Sequence, residues 1–168
     1  MYKSMFFLVL IFLVLGCKED TFDPFVDDNT ASGSMIYLIN QSTWSANELQ
    51  AYKERDTLFL KGIVTLTSDS NYSSSEINFK IINLNQPGLY GIGEDELGLT
   101  YRVKGNYTLK SAKNLPDVVY NAYFRDDNLM TITGMNDRSI NAEFKMKVFN
   151  QSFSDSLFIT NGSLNITY

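Results

Sequence analysis

The chain has no histidine and only one cysteine among its 168 residues. Without histidine it can form neither a histidine-containing zinc site nor the serine-histidine or cysteine-histidine pairs of many hydrolases. A single cysteine also excludes a disulfide within the chain. Basic residues are outnumbered, 14 against 19 acidic ones, which gives a net charge of −5. Because binding to a phosphate backbone needs clustered cations, we expect no nucleic acid partner. The length suits one domain.

The N-terminal segment has the layout of an export signal. Lys3 precedes an unbroken run of eleven apolar residues, 5–15, which ends at Gly16-Cys17. A span of the bilayer takes about 20 such residues, so we expect residues 1–16 to be a helical signal peptide that is later removed. The letters LVLGC at 13–17 resemble a bacterial lipobox. The resemblance implies a diacylglyceryl and acyl anchor on Cys17, such as palmitate, which holds the protein on a membrane. The alternative is an ordinary signal peptide with an incidental cysteine.

The residues after the cysteine bear on location. Lys18-Glu19-Asp20 resembles the surface-export signal of Bacteroidota lipoproteins, a lysine and two acidic residues behind the acylated cysteine. The resemblance implies display on the cell surface from the outer membrane, and the alternative is a charged linker on a periplasm-facing protein. Residues 17–34 are acidic and rich in small residues, so we expect the acylated cysteine to be followed by a flexible tether.

From residue 35 onward the sequence has the period of β-strands. Ile77, Phe79 and Ile81 alternate with polar neighbours, as do Phe144 and Met146, which predicts half-buried antiparallel strands. Further segments rich in β-branched and aromatic residues lie at 35–40, 57–67, 99–104, 118–124, 129–134 and 156–168. Turn clusters separate them. We therefore predict an all-β domain over 35–168, a single antiparallel β-sandwich or flattened barrel of about 8–10 strands.

Residues 45–55 allow two interpretations. Ser45 as N-cap with Glu48 three residues later forms a capping box, which favours a short helix. Alternatively, Trp44, Ala46 and Tyr52 belong to an irregular strand at the edge of the sheet.

Several short segments together resemble a family of flavobacterial lipoproteins of unknown function. They are Trp44 after the opening strand, Pro87-Gly88-Leu89-Tyr90, and the segments 129–133, 141–144 and 159–164. The chain departs from the family pattern at Ala142-Glu143 and at Leu164, where an aromatic residue is expected. The resemblance implies an antiparallel β-sandwich and supplies no catalytic residues.

Carboxylates are the only groups that suggest a metal site or a reaction. Glu94-Asp95-Glu96 and Asp126-Asp127-Asn128 offer oxygen ligands for Ca²⁺, but the spacing is not that of an EF-hand, and solvated hairpin tips are the alternative. Two carboxylates facing each other across a cleft would support glycoside hydrolysis. We expect no catalytic residue, no metal and no cofactor, and keep a carboxylate-based hydrolase as the weakest hypothesis.

Aromatic residues suggest binding instead. Exposed tyrosine and tryptophan combine stacking area with a polar group, which suits sugars and protein partners. The candidate ligand-binding residues are Trp44, Tyr90, Tyr101, Tyr120 and Tyr123, with packing in the core as the alternative. We predict an outer-membrane lipoprotein that serves as a ligand- or glycan-binding accessory module. The second hypothesis is a structural or assembly component that binds another envelope protein through a sheet edge.

Two tripeptides resemble the O-glycosylation motif of Bacteroidota envelope proteins, Asp56-Thr57-Leu58 and Asp155-Ser156-Leu157. Both are predicted to lie where a turn enters a strand. The resemblance implies modification at Thr57 and Ser156.

Overall fold

A computed structural model describes residues 29–67, 71–84, 86–93, 102–113, 115–123, 125 and 127–168. Several predicted features lie outside these residues: the signal peptide, Cys17, the segment Lys18-Glu19-Asp20, Glu94-Asp95-Glu96 and Tyr101. In the described part the chain forms eleven strands and no helix: β1 Ser32–Ile39, β2 Ser42–Ser45, β3 Glu48–Glu54, β4 Thr57–Thr65, β5 Tyr72–Ile82, β6 Gly88–Gly91, β7 Val103–Ser111, β8 Val118–Ala122, β9 Leu129–Asn136, β10 Ser139–Asn150 and β11 Ser156–Thr167. The described part contains no helix that is long and apolar enough to cross a bilayer.

The strands form one antiparallel sheet in the order β2-β1-β11-β10-β8-β7-β5-β4-β3. The long strand β10 divides one of its edges between two partners, with Ser139–Lys145 pairing to β9 and Val148–Asn150 to β8. β6 adds to the outer edge of β9. The sheet is strongly curled into a half-barrel. The predicted all-β antiparallel class is confirmed, and a single sheet curls around its own core where a sandwich would stack two.

Alternating side chains fill the inside of the curl. Ile77, Phe79 and Ile81 are buried, whereas Lys80 between them is exposed, as the sequence period predicts. The ring of Phe79 meets that of Phe144 edge-on, with centroids 4.8 Å apart. An extra residue in each of β5, β9 and β11, relative to the strands that they pair with, adds local bends, because a bulge increases the twist of its strand.

The two ends of the curl are linked by the residues that precede β1. The amide of Ala31 donates to the carbonyl of Leu49, and the amide of Ala51 donates to that of Asn29, both at 2.9 Å. The sheet therefore begins earlier than the predicted tether end at residue 34. The side chains of 32–34 are exposed, so they leave no apolar period in the sequence. Gly33 has φ +125°, and a Cβ atom there would collide with the carbonyl oxygen of Asn165.

The segment 45–55 contains no helix, and most of it is strand β3, Glu48–Glu54. Leu49 and Ala51 are buried and alternate with Gln50 and Tyr52, and β3 pairs with β4 along its whole length. The ring of Tyr52 lies outside the curl and stacks on Phe59 across the pair, with centroids 5.6 Å apart. The capping-box prediction is wrong because the period of two, satisfied by the β4 ladder, outweighs a local cap that is worth about 1 kcal/mol. The strand alternative is correct.

The half-barrel has two distinct ends. Ser32 pairs with Thr167, so the described chain enters at the end that also holds the β3–β4 and β9–β10 turns, which we call the entry end. The β10–β11 turn, 151–155, lies at the opposite end, which we call the distal end. The twelve residues of β11 separate the two ends by about 40 Å at roughly 3.3 Å per residue.

Candidate functional site

The structure does not gather the predicted ligand-binding aromatics on one surface. Trp44 and Tyr90 are partly buried and pack against the core. The Tyr90 hydroxyl donates to the carbonyl of Gln86 at 2.8 Å. Tyr120 faces the inside of the curl, with 6% of its surface exposed. Only Tyr123 among the described candidates lies on the outer surface, because it follows Tyr120 by three positions and so takes the opposite face of its strand.

Tyr123 belongs to a different group of side chains at the distal end. The Tyr123 and Phe153 ring centroids are 4.8 Å apart, and Phe149 lies 5.7 Å from Phe153 and 6.4 Å from Tyr123. The ammonium of Lys147 lies 5.0 Å from the centre of the Phe149 ring and 4.5 Å from that of Phe158. We call this group the distal cluster, and its members are Tyr123, Arg125, Lys147, Phe149, Phe153 and Phe158.

The local structure of β10 and β11 explains these positions. Lys147 and Phe149 point outward because they alternate with Met146 and Val148, which are buried. Phe158 is the direct cross-strand partner of Lys147. The same alternation was visible in the sequence, where it places Phe149 beside Lys147 on the outer face. The sequence alone does not place Phe158 beside Lys147, because that contact depends on the register between β10 and β11.

Phe153 occupies the β10–β11 turn in a backbone conformation that bulky residues rarely adopt. Its φ is +56°, in the left-handed region. The turn is held by the Phe153 amide, which donates to the carbonyl of Asn150 at 3.0 Å, and by the Asn150 side-chain amide, which donates to Ser154 Oγ at 3.0 Å. The ring is 59% exposed, and that of Phe158 is 49% exposed. Strained residues persist where the surrounding structure fixes them, and they are concentrated at binding and active sites.

A buried asparagine fixes the position of the cluster. Asn128 has no exposed surface, and its Nδ2 donates to the carbonyls of Tyr123 at 2.8 Å and Lys147 at 3.2 Å. Its Oδ1 accepts the amide of Lys147 at 2.7 Å. The side chain thereby joins the segment after β8 to β10. Asn128 is thus neither a solvated hairpin tip nor a free ligand for Ca²⁺, because its oxygen and nitrogen are committed to backbone groups.

The other residues of the predicted calcium site give it no support in the described part of the chain. Asp127 is exposed, and its carboxylate lies 3.7 Å from Arg125 Nε. The remaining candidates, Glu94-Asp95-Glu96 and Asp126, lie outside the described residues. Among those that are described, no group of three or more potential ligands is close enough to hold a metal ion.

Burial is the main cause of the raised pKa values of three tyrosines that face the inside of the curl. Burial raises the pKa of Tyr120 to about 12, and the hydrogen bond that its hydroxyl donates to Asp155 Oδ2 at 2.8 Å adds to the rise. Burial also raises the pKa of Tyr37 and Tyr107, and Ser75 beside both hydroxyls opposes that rise. These three phenols are therefore protonated at neutral pH and do not serve as bases there.

A cavity of about 460 Å³ opens at the entry end. Leu58 and Ile81 form part of its apolar floor, and charged residues of the β3–β4 and β9–β10 turns surround its mouth. The carboxylates of Asp56 and Asp137 both line it. Both residues are exposed, and such surroundings lack the low dielectric that enzymes use to give two carboxylates different roles.

Comparison with protein-family models, with curated proteins and with solved structures found no match to this chain. The resemblance to flavobacterial lipoproteins stays a prediction.

The two predicted modification sites lie where the sequence indicated. Thr57 is the first residue of β4 and Ser156 the first of β11, and both are partly exposed. The Ser156 amide donates to the Asp155 carboxylate at 2.8 Å, so the aspartate of that motif is held in the turn. Modification at these hydroxyls stays a prediction.

Proposed function

We propose that the chain is an outer-membrane lipoprotein, anchored through Cys17, whose β domain binds a glycan or another extended ligand at the distal cluster. Lys18-Glu19-Asp20 supports display on the cell surface, with a periplasm-facing protein as the alternative. The observation that carries the proposal is the exposure of Phe153, whose ring lies beside that of Tyr123, and of Phe158, whose ring lies beside Lys147, since exposed rings on one surface mark a site of interaction.

The position of the cluster fits this role. An anchor at Cys17 reaches the described domain at Asn29, near the entry end, through twelve residues that extend over at most about 43 Å. The cluster lies at the opposite end, about 40 Å along β11. A domain attached in this way presents the cluster away from the membrane, where an extended ligand has access.

The chemistry of the cluster suits a sugar surface. Sugar rings have apolar faces of C–H groups that pack on aromatic rings, and polar edges that form hydrogen bonds. Phe153 and Phe158 supply open ring surface, while the Tyr123 hydroxyl and the side chains of Ser152 and Ser154 supply polar groups at the same turn.

The test is a glycan screen with the full chain in a neutral detergent, followed by variants. Phe153→Ala and Phe158→Ala are expected to weaken binding at least tenfold, since buried aromatic contacts at binding sites are commonly worth 2 kcal/mol or more. The matched controls are Ile36→Ala and Leu89→Ala, which remove side chains of exposed residues on β1 and β6 that do not belong to the cluster. Loss of binding in the phenylalanine variants alone supports the proposal. If the phenylalanine variants and the control variants weaken binding equally, or if the chain binds no glycan, the proposal is contradicted.

A free sheet edge supports the second candidate function, an assembly component that binds another envelope protein. Among the described residues β6 pairs only with β9, so one side of Gly88–Gly91 offers unpaired backbone groups. Leu89 on this strand is 64% exposed. Such an edge accepts an added strand from a partner. A photo-crosslinking residue at Leu89 is expected to capture one envelope protein in intact cells, and the same residue at Leu115 is expected not to. The absence of a specific adduct at Leu89 would remove this candidate.

A further inference from the structure

We infer that the ligand of the distal cluster is an acidic polysaccharide, in which carboxylate or sulfate groups lie beside the apolar faces of the sugars. This inference rests on the proposed function and names the chemical class of its ligand. It follows from the placement of a cation between the aromatic rings.

Lys147 is that cation. Its ammonium lies near the centres of two rings, Phe149 at 5.0 Å and Phe158 at 4.5 Å. It forms no ion pair with any carboxylate in the part of the chain that the structure describes. A cation on an aromatic face gains about 0.5–1 kcal/mol at an exposed site, and this contact fixes its position without neutralising its charge. The charge is therefore available to an anionic ligand.

The acidic residues that the structure describes beside the cluster are engaged with other groups. Asp127 lies 3.7 Å from Arg125, which itself lies 5.8 Å from the centre of the Phe149 ring. Asp155 accepts the Tyr120 hydroxyl and the Ser156 amide, both at 2.8 Å. Lys147 thus has no compensating carboxylate among the described residues, in a chain whose net charge is −5.

The arrangement of the rings favours a sugar acid over a neutral sugar. The rings are inclined to one another by 37–60°, so they do not form one flat platform on which a neutral chain would lie by stacking alone. Binding then depends on single ring faces together with the ammonium. A uronic acid offers both an apolar face and a carboxylate on the same residue, which matches the exposed Phe158 and the ammonium that lies 4.5 Å from the centre of its ring.

An anionic bilayer has the same two chemical features, but the geometry disfavours it. The cluster lies at the distal end, about 40 Å along β11 from the end at which the chain enters. A domain anchored through Cys17 on this tether would have to lie flat or turn over for the cluster to reach that membrane. Anionic vesicles are accordingly one arm of the test.

The experiment compares polygalacturonate with the same polymer after full methyl esterification, which removes the charge and keeps the backbone. The full chain in a neutral detergent is run by affinity electrophoresis in gels that contain each polymer, at low and at high salt, and its sedimentation with anionic vesicles is measured separately. We expect retardation by polygalacturonate that weakens at high salt, because exposed charges are screened.

The variant Lys147→Gln is expected to weaken this retardation about tenfold, the effect of losing one charge-assisted hydrogen bond. The control is Lys53→Gln, which changes the net charge by the same amount at the entry end and is expected to have no effect. Equal retardation by the esterified polymer, equal effects of the two lysine variants, or binding to vesicles and to neither polymer would each overturn the inference. If the esterified polymer also retards the protein and Phe153→Ala abolishes that retardation, the proposed function is still supported. If migration is unchanged in all gels and the glycan screen finds no ligand, both the proposed function and the inference about an acidic ligand are wrong.

Discussion

Replacement of Asn128 by alanine is expected to destabilise the domain by about 2–4 kcal/mol. The substitution removes three hydrogen bonds, two from Nδ2 to the carbonyls of Tyr123 and Lys147 and one from the Lys147 amide to Oδ1. Each bond contributes about 1 kcal/mol net, and backbone groups that stay buried without a partner raise the cost. Asn128 has no exposed surface, so water does not replace the lost partners without local opening.

The measurement is urea unfolding of the chain from residue 19 onward, followed by the fluorescence of Trp44, the only tryptophan. A loss of 2–4 kcal/mol corresponds to a decrease in Tm of about 4–16 °C for a protein of this size. The control is Asn165→Ala, at an exposed position of β11, which is expected to change stability by less than about 0.5 kcal/mol. Equal stability of the two variants would refute the assignment of Asn128 as the residue that joins the segment after β8 to β10.

The remaining predictions concern the start of the sheet, one glycine, one buried tyrosine and the modification sites. A chain that begins at residue 35 is expected to be less stable by several kcal/mol than one that begins at 29, because it lacks the backbone bonds of Asn29 and Ala31 to β3 and three residues of β1; equal urea midpoints would contradict this. Gly33→Ala is expected to cost at least about 2 kcal/mol in the same assay, since its φ is +125° and its Cβ would collide with Asn165, whereas Gly134→Ala, with no contact under 3.4 Å, is expected to cost less. The pKa of Tyr120 is about 12 in the folded state against 10.0 ordinarily, so the stability that its protonated phenol contributes is complete below pH 10 and is lost as the pH rises through 12. Tyr120→Phe is therefore expected to make the alkaline decrease in the urea midpoint shallower. An identical decrease in the variant and the unchanged protein would contradict the raised pKa. Intact-mass measurement of the protein from its native host is expected to show a glycan that Thr57→Ala or Ser156→Ala removes, and an unmodified mass would dismiss the motif.

Local alternation made part of the fold predictable. The inward positions of Ile77, Phe79 and Ile81, and those of Phe144 and Met146, follow from the period of two, which needs only neighbouring residues. The same rule fails where both kinds of side chain are polar or small. The start of β1, residues 32–34, carries no apolar side chain, and only its backbone partners reveal it as strand. In β3 the alternation of Leu49 and Ala51 is short and coexists with a capping box, so the pairing with β4 decides.

The candidate site was predicted less well than the fold. Tyr120 and Tyr123 look alike in sequence, yet Tyr120 is buried inside the curl with its hydroxyl reaching the exposed Asp155, and Tyr123 meets Phe153 on the surface. The parity of their positions separates them, but only once the inner face of β8 is known. The cluster residues Phe153 and Phe158 were missed because one lies in a turn and the other depends on the pairing of β10 with β11.

By itself, the sequence determined the all-β class, the faces of the most regular strands and the absence of any chemistry that needs histidine, because composition and nearest-neighbour period suffice for these. The tertiary structure alone decided that the sheet curls until Asn29 and Ala31 meet β3, and that the segment after β8, the β10–β11 turn and β11 bring Tyr123, Phe153 and Phe158 to one surface. Contacts of this kind join residues far apart in the chain, and their register is set by the whole sheet rather than by any segment of it.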